Sequence, residues 1–288
     1  MENNSQKLFR EYIDKLAVTT TQKNVLHGII LKDNSQVPEF HEGKIYFVEK
    51  PSIGFNEDSN DVFVNKIKIF LKKFPGLFFI IYHLVGASFV GKSSKKSIQE
   101  IPKGKVIINL GSGVTVVRED VVNIDFYPFE NVHIVADISN LPFAAAQVDA
   151  VLCEYVLEHV PDPEAIVKEI ERVTKPGGTV YVSVPFVASF HSSPNDYYRW
   201  SKMGLKEQLK NFEEVNSGVR SGPGAALDYI LAEFVATLFS FGSKTIHQVL
   251  FMTFLILFAP LCYLDYLIAR YPTSENIAYG FYYIGRKK

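Results

Sequence analysis

Cysteine, tryptophan and surplus charge are all scarce in this chain. Among 288 residues there are two cysteines, Cys153 and Cys262, and one tryptophan, Trp200. Two cysteines cannot make a metal cluster, and Cys153 lies in an apparent buried strand, so a reducing compartment fits and no metal is expected. A formal net charge of -1 gives no electrostatic case for nucleic acid as a partner. The polar N-terminus, MENNSQKLFREYIDK, has no apolar signal-peptide core, which places the expected location in the cytoplasm. An apolar run long enough to span a bilayer is not expected either. The run beginning at Leu77 is broken by His83 and Gly86, and residues 249–264 would reach only about 24 Å as a helix, against a hydrocarbon core of about 30 Å. What is present is a hydrophobic content of 47% with 21% charged residues, ample for a core and incompatible with disorder.

The most informative stretch is KVIINLGSGVTVVREDVVNID, residues 105–125. Val106, Ile107 and Ile108 form a short β-branched run bounded by glycine, as a buried strand of a parallel sheet reads. Gly111-Ser112-Gly113 follows at once, where backbone must take positive φ or approach something closely. A second strand then ends in Asp125. Strand, glycine turn, strand and terminal acid is the layout that binds an adenosine-type cofactor at the carboxyl edge of an open α/β sheet. The pyrophosphate-binding form wants a third glycine where Thr115 and Val116 stand. Together with the lack of a Tyr-x-x-x-Lys pair, this weighs against a nicotinamide-dependent oxidoreductase.

Along the chain, residues 1–60 read as an N-terminal extension, with a short hairpin expected over 36–48. That hairpin faintly resembles the tail of a zinc-ribbon module, but the metal-binding cysteines are absent. Residues 61–104 read as a helical lead-in, with apolar residues at helical spacing over 60–73, and a lysine-rich linker over 91–104. Residues 105–288 read as the main domain. Strands are expected at 132–136, 148–153 and 179–184, and a helix is expected from Asp162-Pro163, a side-chain cap followed by a first-turn proline. Strands alternating with helices on this scale mean a mostly parallel sheet. A helix from Met203 and strands over 213–219 and 277–285 complete it, the last two as an antiparallel hairpin. Residues 222–271 then form an apolar helical insertion between the hairpin strands.

Leu110-Gly-Ser-Gly113, Asp125, Ala136-Asp-Ile138 with Leu141-Pro-Phe143, Val156-Leu-Glu-His159 and Lys175-Pro-Gly-Gly178 together resemble the ordered motifs of class I S-adenosylmethionine-dependent methyltransferases, of the type 11 kind. The resemblance covers roughly residues 105–185. It implies a Rossmann-like fold, S-adenosyl-L-methionine as cofactor and methyl transfer as activity. By resemblance, Asn109, Gly111, Ser112 and Gly113 hold the amino acid end of the cofactor, Asp125 the ribose, and Asp137 with Ile138 the adenine. Glu154 stands at the edge where the methyl would sit. Two departures stand out. Asn109 replaces the acid usual near the end of the first strand, and the crossover 114–120 is too short for a full helix.

The segment 185–200 leaves the fifth strand at the ligand-binding edge and is dense in polar and aromatic groups. His191 is the favoured general base there, near a pKa of about 6.5 when unperturbed, and His159 is a second catalytic candidate. Asp196, Tyr197, Arg199 and Trp200 are expected to line an acceptor pocket. The competing reading makes Asp196–Arg199 a loop-holding ion pair, Trp200 core and His159 structural. The segment resembles bacterial methyltransferases of surface-sugar and lipid-linked glycan pathways, which implies a small or lipid-linked acceptor, a carbohydrate hydroxyl. Residues 222–271 are expected either to make peripheral membrane contact or to pack on each other and on Leu77–Val90 as a soluble cap. The alternative to an enzyme is a non-catalytic module of the same fold that docks on a partner or membrane.

Overall fold

Two short β-branched runs set the middle of the sheet. β3 (Ile107–Leu110) and β4 (Val122–Asp125) are buried at every position, as strands covered on both faces must be. They pair in parallel, Ile108 with Val122 and Leu110 with Ile124. The computed structural model describes residues 3–33, 35–49, 90–191 and 195–288. The helix expected over 60–73 and the apolar run Leu77–Val90, but for its last residue, lie outside these residues.

Beyond β4 lies β5 (Ile134–Val135), and on the other side of β3 lie β6 (Val148–Glu154) and β7 (Thr174–Pro185), all parallel. The chain order therefore reverses at β3, which opens a crevice at the carboxyl ends of β3, β4 and β6. The far edge is antiparallel: β9 (Gly280–Lys287) pairs with β7, and β8 (Phe212–Ser221) pairs with β9. With β1 (Glu39–His41) and β2 (Lys44–Tyr46) at the opposite edge, the sheet has nine strands among the described residues, in the order β1-β2-β5-β4-β3-β6-β7-β9-β8. The fold is the expected mixed α/β one, a mostly parallel sheet closed by an antiparallel hairpin.

The hairpin expected over 36–48 forms as β1 (Glu39–His41) and β2 (Lys44–Tyr46). It is not a separate extension, because β2 pairs with β5, Ile45 beside Ile134. β5 is only two residues long, and β2 covers its otherwise open edge. Helices α1 (Asn4–Lys15) and α2 (Thr20–His27) bury Phe9, Ile13 and Leu26 in the same core as Ile108 and Ile124. The expected 91–104 linker is also part of the body. It contains α3 (Ser94–Ser97), capped by Ser93, and buries Ile98 completely.

The β3–β4 crossover has no helix, as its length requires. Arg118 fixes it instead, pairing with Asp120 at 2.5 and 3.0 Å and donating to the Ile98 carbonyl at 2.8 Å. After β6, helix α4 (Pro163–Val173) starts where Asp162 accepts from the Ala165 N–H at 3.1 Å. Its Ile166, Val167, Ile170 and Val173 are buried, each stabilising by roughly 1.5–3 kcal/mol. Helix α5 (Lys202–Gln208) leads into β8.

The insertion is a pair of long helices, α6 (Pro223–Phe239) and α7 (Lys244–Phe258), followed by short α8 (Pro260–Tyr263) and α9 (Asp265–Ile268). Gly222 offers α6 no side-chain cap. Asp265 supplies one from the returning leg, accepting from Gly224 N–H at 2.6 Å and Ala225 N–H at 3.0 Å. A Cβ at Gly224 would lie 2.2 Å from the Leu261 carbonyl oxygen, so the glycine is what lets the two legs touch. Higher up, Phe234, Leu238, Phe241, Ile256 and Leu257 are exposed. One segment among the described residues, Lys244–Ile268, is long and apolar enough to cross a bilayer. The ends of the whole insertion are tied to one place, because Ser221 of β8 pairs with Gly280 of β9. A lone crossing would pull these two strands apart.

Candidate active site

The site is built on the glycine turn after β3. Gly111 and Gly113 have φ of 61° and 52°, a backbone region that favours glycine. The turn is held to β4 twice: Ser112 N–H donates to the Ile124 carbonyl at 3.2 Å, and Gly113 N–H donates to Asp125 Oδ2 at 2.8 Å. The other Asp125 oxygen accepts from Tyr127 N–H at 2.9 Å. Asp125 is 8% exposed. Burial raises its pKa above the usual carboxylate value, against the lowering effect of the Tyr127 and Gly113 donors. A Cβ on Gly111 would lie 2.5 Å from Val156, while one on Gly113 would meet nothing within 4 Å. The turn is thus pressed on the loop after β6 and open above Gly113. Ser112 Oγ is buried there without a hydrogen-bond partner. An open face, an orphaned hydroxyl and a strand-end carboxylate fit the amino acid and ribose ends of S-adenosylmethionine.

Asn109 lies in register with Asn123, to whose Oδ1 its Nδ2 donates at 3.4 Å. Asp137 is exposed, its Oδ1 accepting from the N–H and hydroxyl of Ser139 at 2.8 and 2.7 Å, and Ile138 beside it packs on the core. Glu154 ends β6, and both of its oxygens are partnered. Arg220 donates to one at 3.0 and 2.9 Å, and Ser94 donates to the other at 2.7 Å.

Across the crevice, His159 and His191 meet edge to face with ring centroids 5.1 Å apart. His159 Nδ1 lies 2.5 Å from the Asn195 carbonyl, and His191 Nδ1 lies 3.2 Å from the Ser189 carbonyl. Burial lowers the His191 pKa below the ordinary imidazole value. Glu158 is completely buried, and burial pushes its pKa up to about 8. Asp196 and Arg199 pair with each other, and Arg199 also donates to the Ala188 and Ser189 carbonyls at 3.2 and 2.8 Å. Asp196 further accepts from His191 N–H at 2.8 Å. This pair holds the loop, as the competing reading had it. Trp200, 7% exposed, belongs to the core, which leaves Tyr197 as the exposed aromatic of the set.

Three features escaped sequence reasoning. Arg220 carries no local motif and meets Glu154 only through the sheet order. Tyr155 takes φ of 54°, uncommon for a residue with a side chain, and turns the chain sharply at the end of β6. Tyr279 joins it, its ring 6.5 Å from Tyr155 and 5.2 Å from Tyr229 of α6, so the base of the insertion adjoins the site.

A glycine turn locked to a strand-end acid at the switch point of a parallel sheet defines a nucleotide-type cofactor domain. Residues 112–182 match the family model described as a methyltransferase domain. A ubiquinone biosynthesis O-methyltransferase of Escherichia coli O139:H28 is 49% identical over 39 residues, which is 14% of this chain and 16% of that protein. The chain therefore aligns with only a small part of the curated relatives it matches. Among solved structures, phosphoethanolamine N-methyltransferase 2 of Haemonchus contortus with S-adenosyl-L-methionine is similar at 15% identity and a TM-score of 0.45, over 73% of this chain and 56% of that one. The cyclase SpnF is similar at 15% identity and a TM-score of 0.41, over 64% and 74%.

Proposed function

We propose that the chain is an S-adenosylmethionine-dependent methyltransferase acting on a hydroxyl of a small or lipid-linked carbohydrate at the cytoplasmic membrane face. The observation that carries the reading is the Gly111–Gly113 turn locked onto Asp125, within the segment that matches a methyltransferase domain. When bound, the cofactor supplies an electrophilic methyl group on a sulfonium. Backbone at Gly111 and Gly113 with Ser112 and Asn109 holds its amino acid end. Asp125 accepts from the ribose hydroxyls, and Asp137 and Ile138 border the adenine. The Arg220–Glu154 pair keeps the end of β6 in place. The chain's remaining task is to align the acceptor and take its proton. That falls to the cluster Glu158, His159 and His191, of which His191 is the most open side chain.

An oxygen acceptor is supported by the short match to an O-methyltransferase. A carbohydrate acceptor is supported by exposed Tyr197, which offers a flat face beside polar groups. A membrane-borne one is supported by the exposed apolar side chains of the insertion, whose base packs beside Tyr155, Val187 and Ala188. A second reading, a non-catalytic module of the same fold, is favoured by Asn109 in place of an acid and by the helix-free crossover. Incubation of the protein, radiolabelled S-adenosylmethionine and cell extract, followed by separation into lipid and aqueous fractions, tests the proposal. Label in the lipid fraction is expected. Label in neither fraction overturns catalysis in favour of the second reading.

A further inference from the structure

One ligand atom of each of Glu158, His159 and His191 lies within 4.8 Å of the others. Glu158 is completely buried, and neither of its carboxylate oxygens has a hydrogen-bond partner. Left alone, such an acid is driven towards its neutral form and its two oxygens still lack donors, so a cation bound there would satisfy them. The nearby Arg199 is already taken by Asp196 and three carbonyls. The two histidines are oriented alike. Each points Nδ1 at a backbone carbonyl, of Asn195 at 2.5 Å and of Ser189 at 3.2 Å. A carbonyl only accepts, so Nδ1 carries the proton and the neutral ring keeps its lone pair on Nε2. Outer carbonyls orient metal-ligating imidazoles in this way. In His159 that Nε2 lies 3.9 Å from Glu158 Oε1.

We propose that Glu158, His159 and His191 form a binding site for one divalent cation of the zinc class, on the acceptor side of the crevice. One carboxylate and two neutral imidazoles suit Zn²⁺, Co²⁺ or Fe²⁺ better than Mg²⁺. Donors about 2.1 Å from zinc stand about 3.4 Å apart in a tetrahedron, so modest side-chain rotation closes the set. Three protein ligands leave one position open, as at catalytic zinc centres. There the cation would bind the acceptor's oxygen and make its proton easier to lose to water, so that with the cation in place His191 serves as a ligand and not as the base. That role rests on the methyltransferase reading, whereas cation binding itself does not. The proposal revises the metal-free expectation, which was drawn from the cysteines alone.

The full chain, stripped with chelator, is titrated with Zn²⁺ by calorimetry and with Co²⁺ by visible absorption. One equivalent of Zn²⁺ is expected, with affinity lowered about 30-fold or more in Glu158→Gln and in His191→Asn. The control is His41→Gln, which alters an exposed histidine paired with Glu39 at 2.8 Å and should change nothing. Glu158→Gln keeps the side chain's shape, and a thermal melt of its apo form close to the parent's shows that it is folded. Loss of binding in that variant therefore reports the site and not unfolding. Weak binding at several sites, or stoichiometric binding that Glu158→Gln leaves unchanged, overturns the proposal. S-Adenosylmethionine is titrated into the stripped protein alongside. Cofactor binding without zinc binding overturns the cation site alone, and zinc binding without cofactor binding supports the site while removing the methyltransferase reading.

Discussion

Arg220 and Glu154 join two strands that are not neighbours. Arg220 of β8 donates from Nε and Nη2 to a single oxygen of Glu154 at the end of β6, at 3.0 and 2.9 Å, past the intervening β7 and β9. Arg220 is 5% exposed. Removing one member leaves the other charged in a poorly solvated place, at a cost of roughly 3–5 kcal/mol. Arg220→Ala is therefore expected to lose about that much in urea unfolding. Arg220→Ala with Glu154→Ala should lose clearly less than the two single changes summed. Simple additivity would mean that the pair is not coupled.

His191 stands where the acceptor cluster meets solvent. His191→Ala should lower turnover about 100-fold or more, with cofactor affinity changed less than about threefold. Loss of both together would assign His191 to loop structure, through its contacts with Asp196 and Ser189.

His133 makes the protein acid-sensitive. Its Nδ1 accepts from the Asn123 N–H at 2.9 Å, a bond the doubly protonated ring cannot make. Burial, with Lys44 nearby, lowers its pKa to about 4 from an ordinary 6.5. The unfolded chain then binds more protons than the folded one between these values. Stability from this group is complete above pH 6.5 and is lost as pH falls towards 4. The loss should reach about 2–3 kcal/mol. His133→Gln, measured by thermal unfolding from pH 8 to pH 4, should flatten that decline. An unchanged pH profile would contradict the assignment.

The insertion should dock on membranes without crossing them. Phe234, Leu238, Ile256 and Leu257 are exposed together, while β8 and β9 hold both feet of the insertion in one sheet. Carbonate washing of membranes is expected to release the protein, and Phe234→Asp with Leu257→Asp should shift it to the soluble fraction. Retention after alkali would indicate insertion. A soluble parent protein would make the helices a cap.

The sheet was legible because its strands are β-branched runs stopped by glycine or acid, and helix α4 because Asp162-Pro163 marks its start. The membership of β1 and β2 in that sheet was not legible. It depends on the edge of β5, which no local pattern announces. The cofactor half of the site follows from contiguous motifs, Gly111–Gly113 and Asp125. The acceptor half depends on contacts between distant residues. Asp196 and Arg199 satisfy each other, Trp200 packs inward, and Glu158 is buried. Side-chain direction decided those roles, and composition does not encode it.

Cofactor binding through Asp125 tests the central claim most directly. S-Adenosylmethionine and S-adenosylhomocysteine are titrated calorimetrically into the parent protein and into Asp125→Ala, with NAD as a control. Both sulfur compounds should bind the parent and NAD should not. Loss of a carboxylate that accepts two ribose hydroxyls should weaken binding by about 2–4 kcal/mol, roughly 30- to 1000-fold. Equal affinity in a folded Asp125→Ala protein, or no binding of either compound by the parent, would contradict the account.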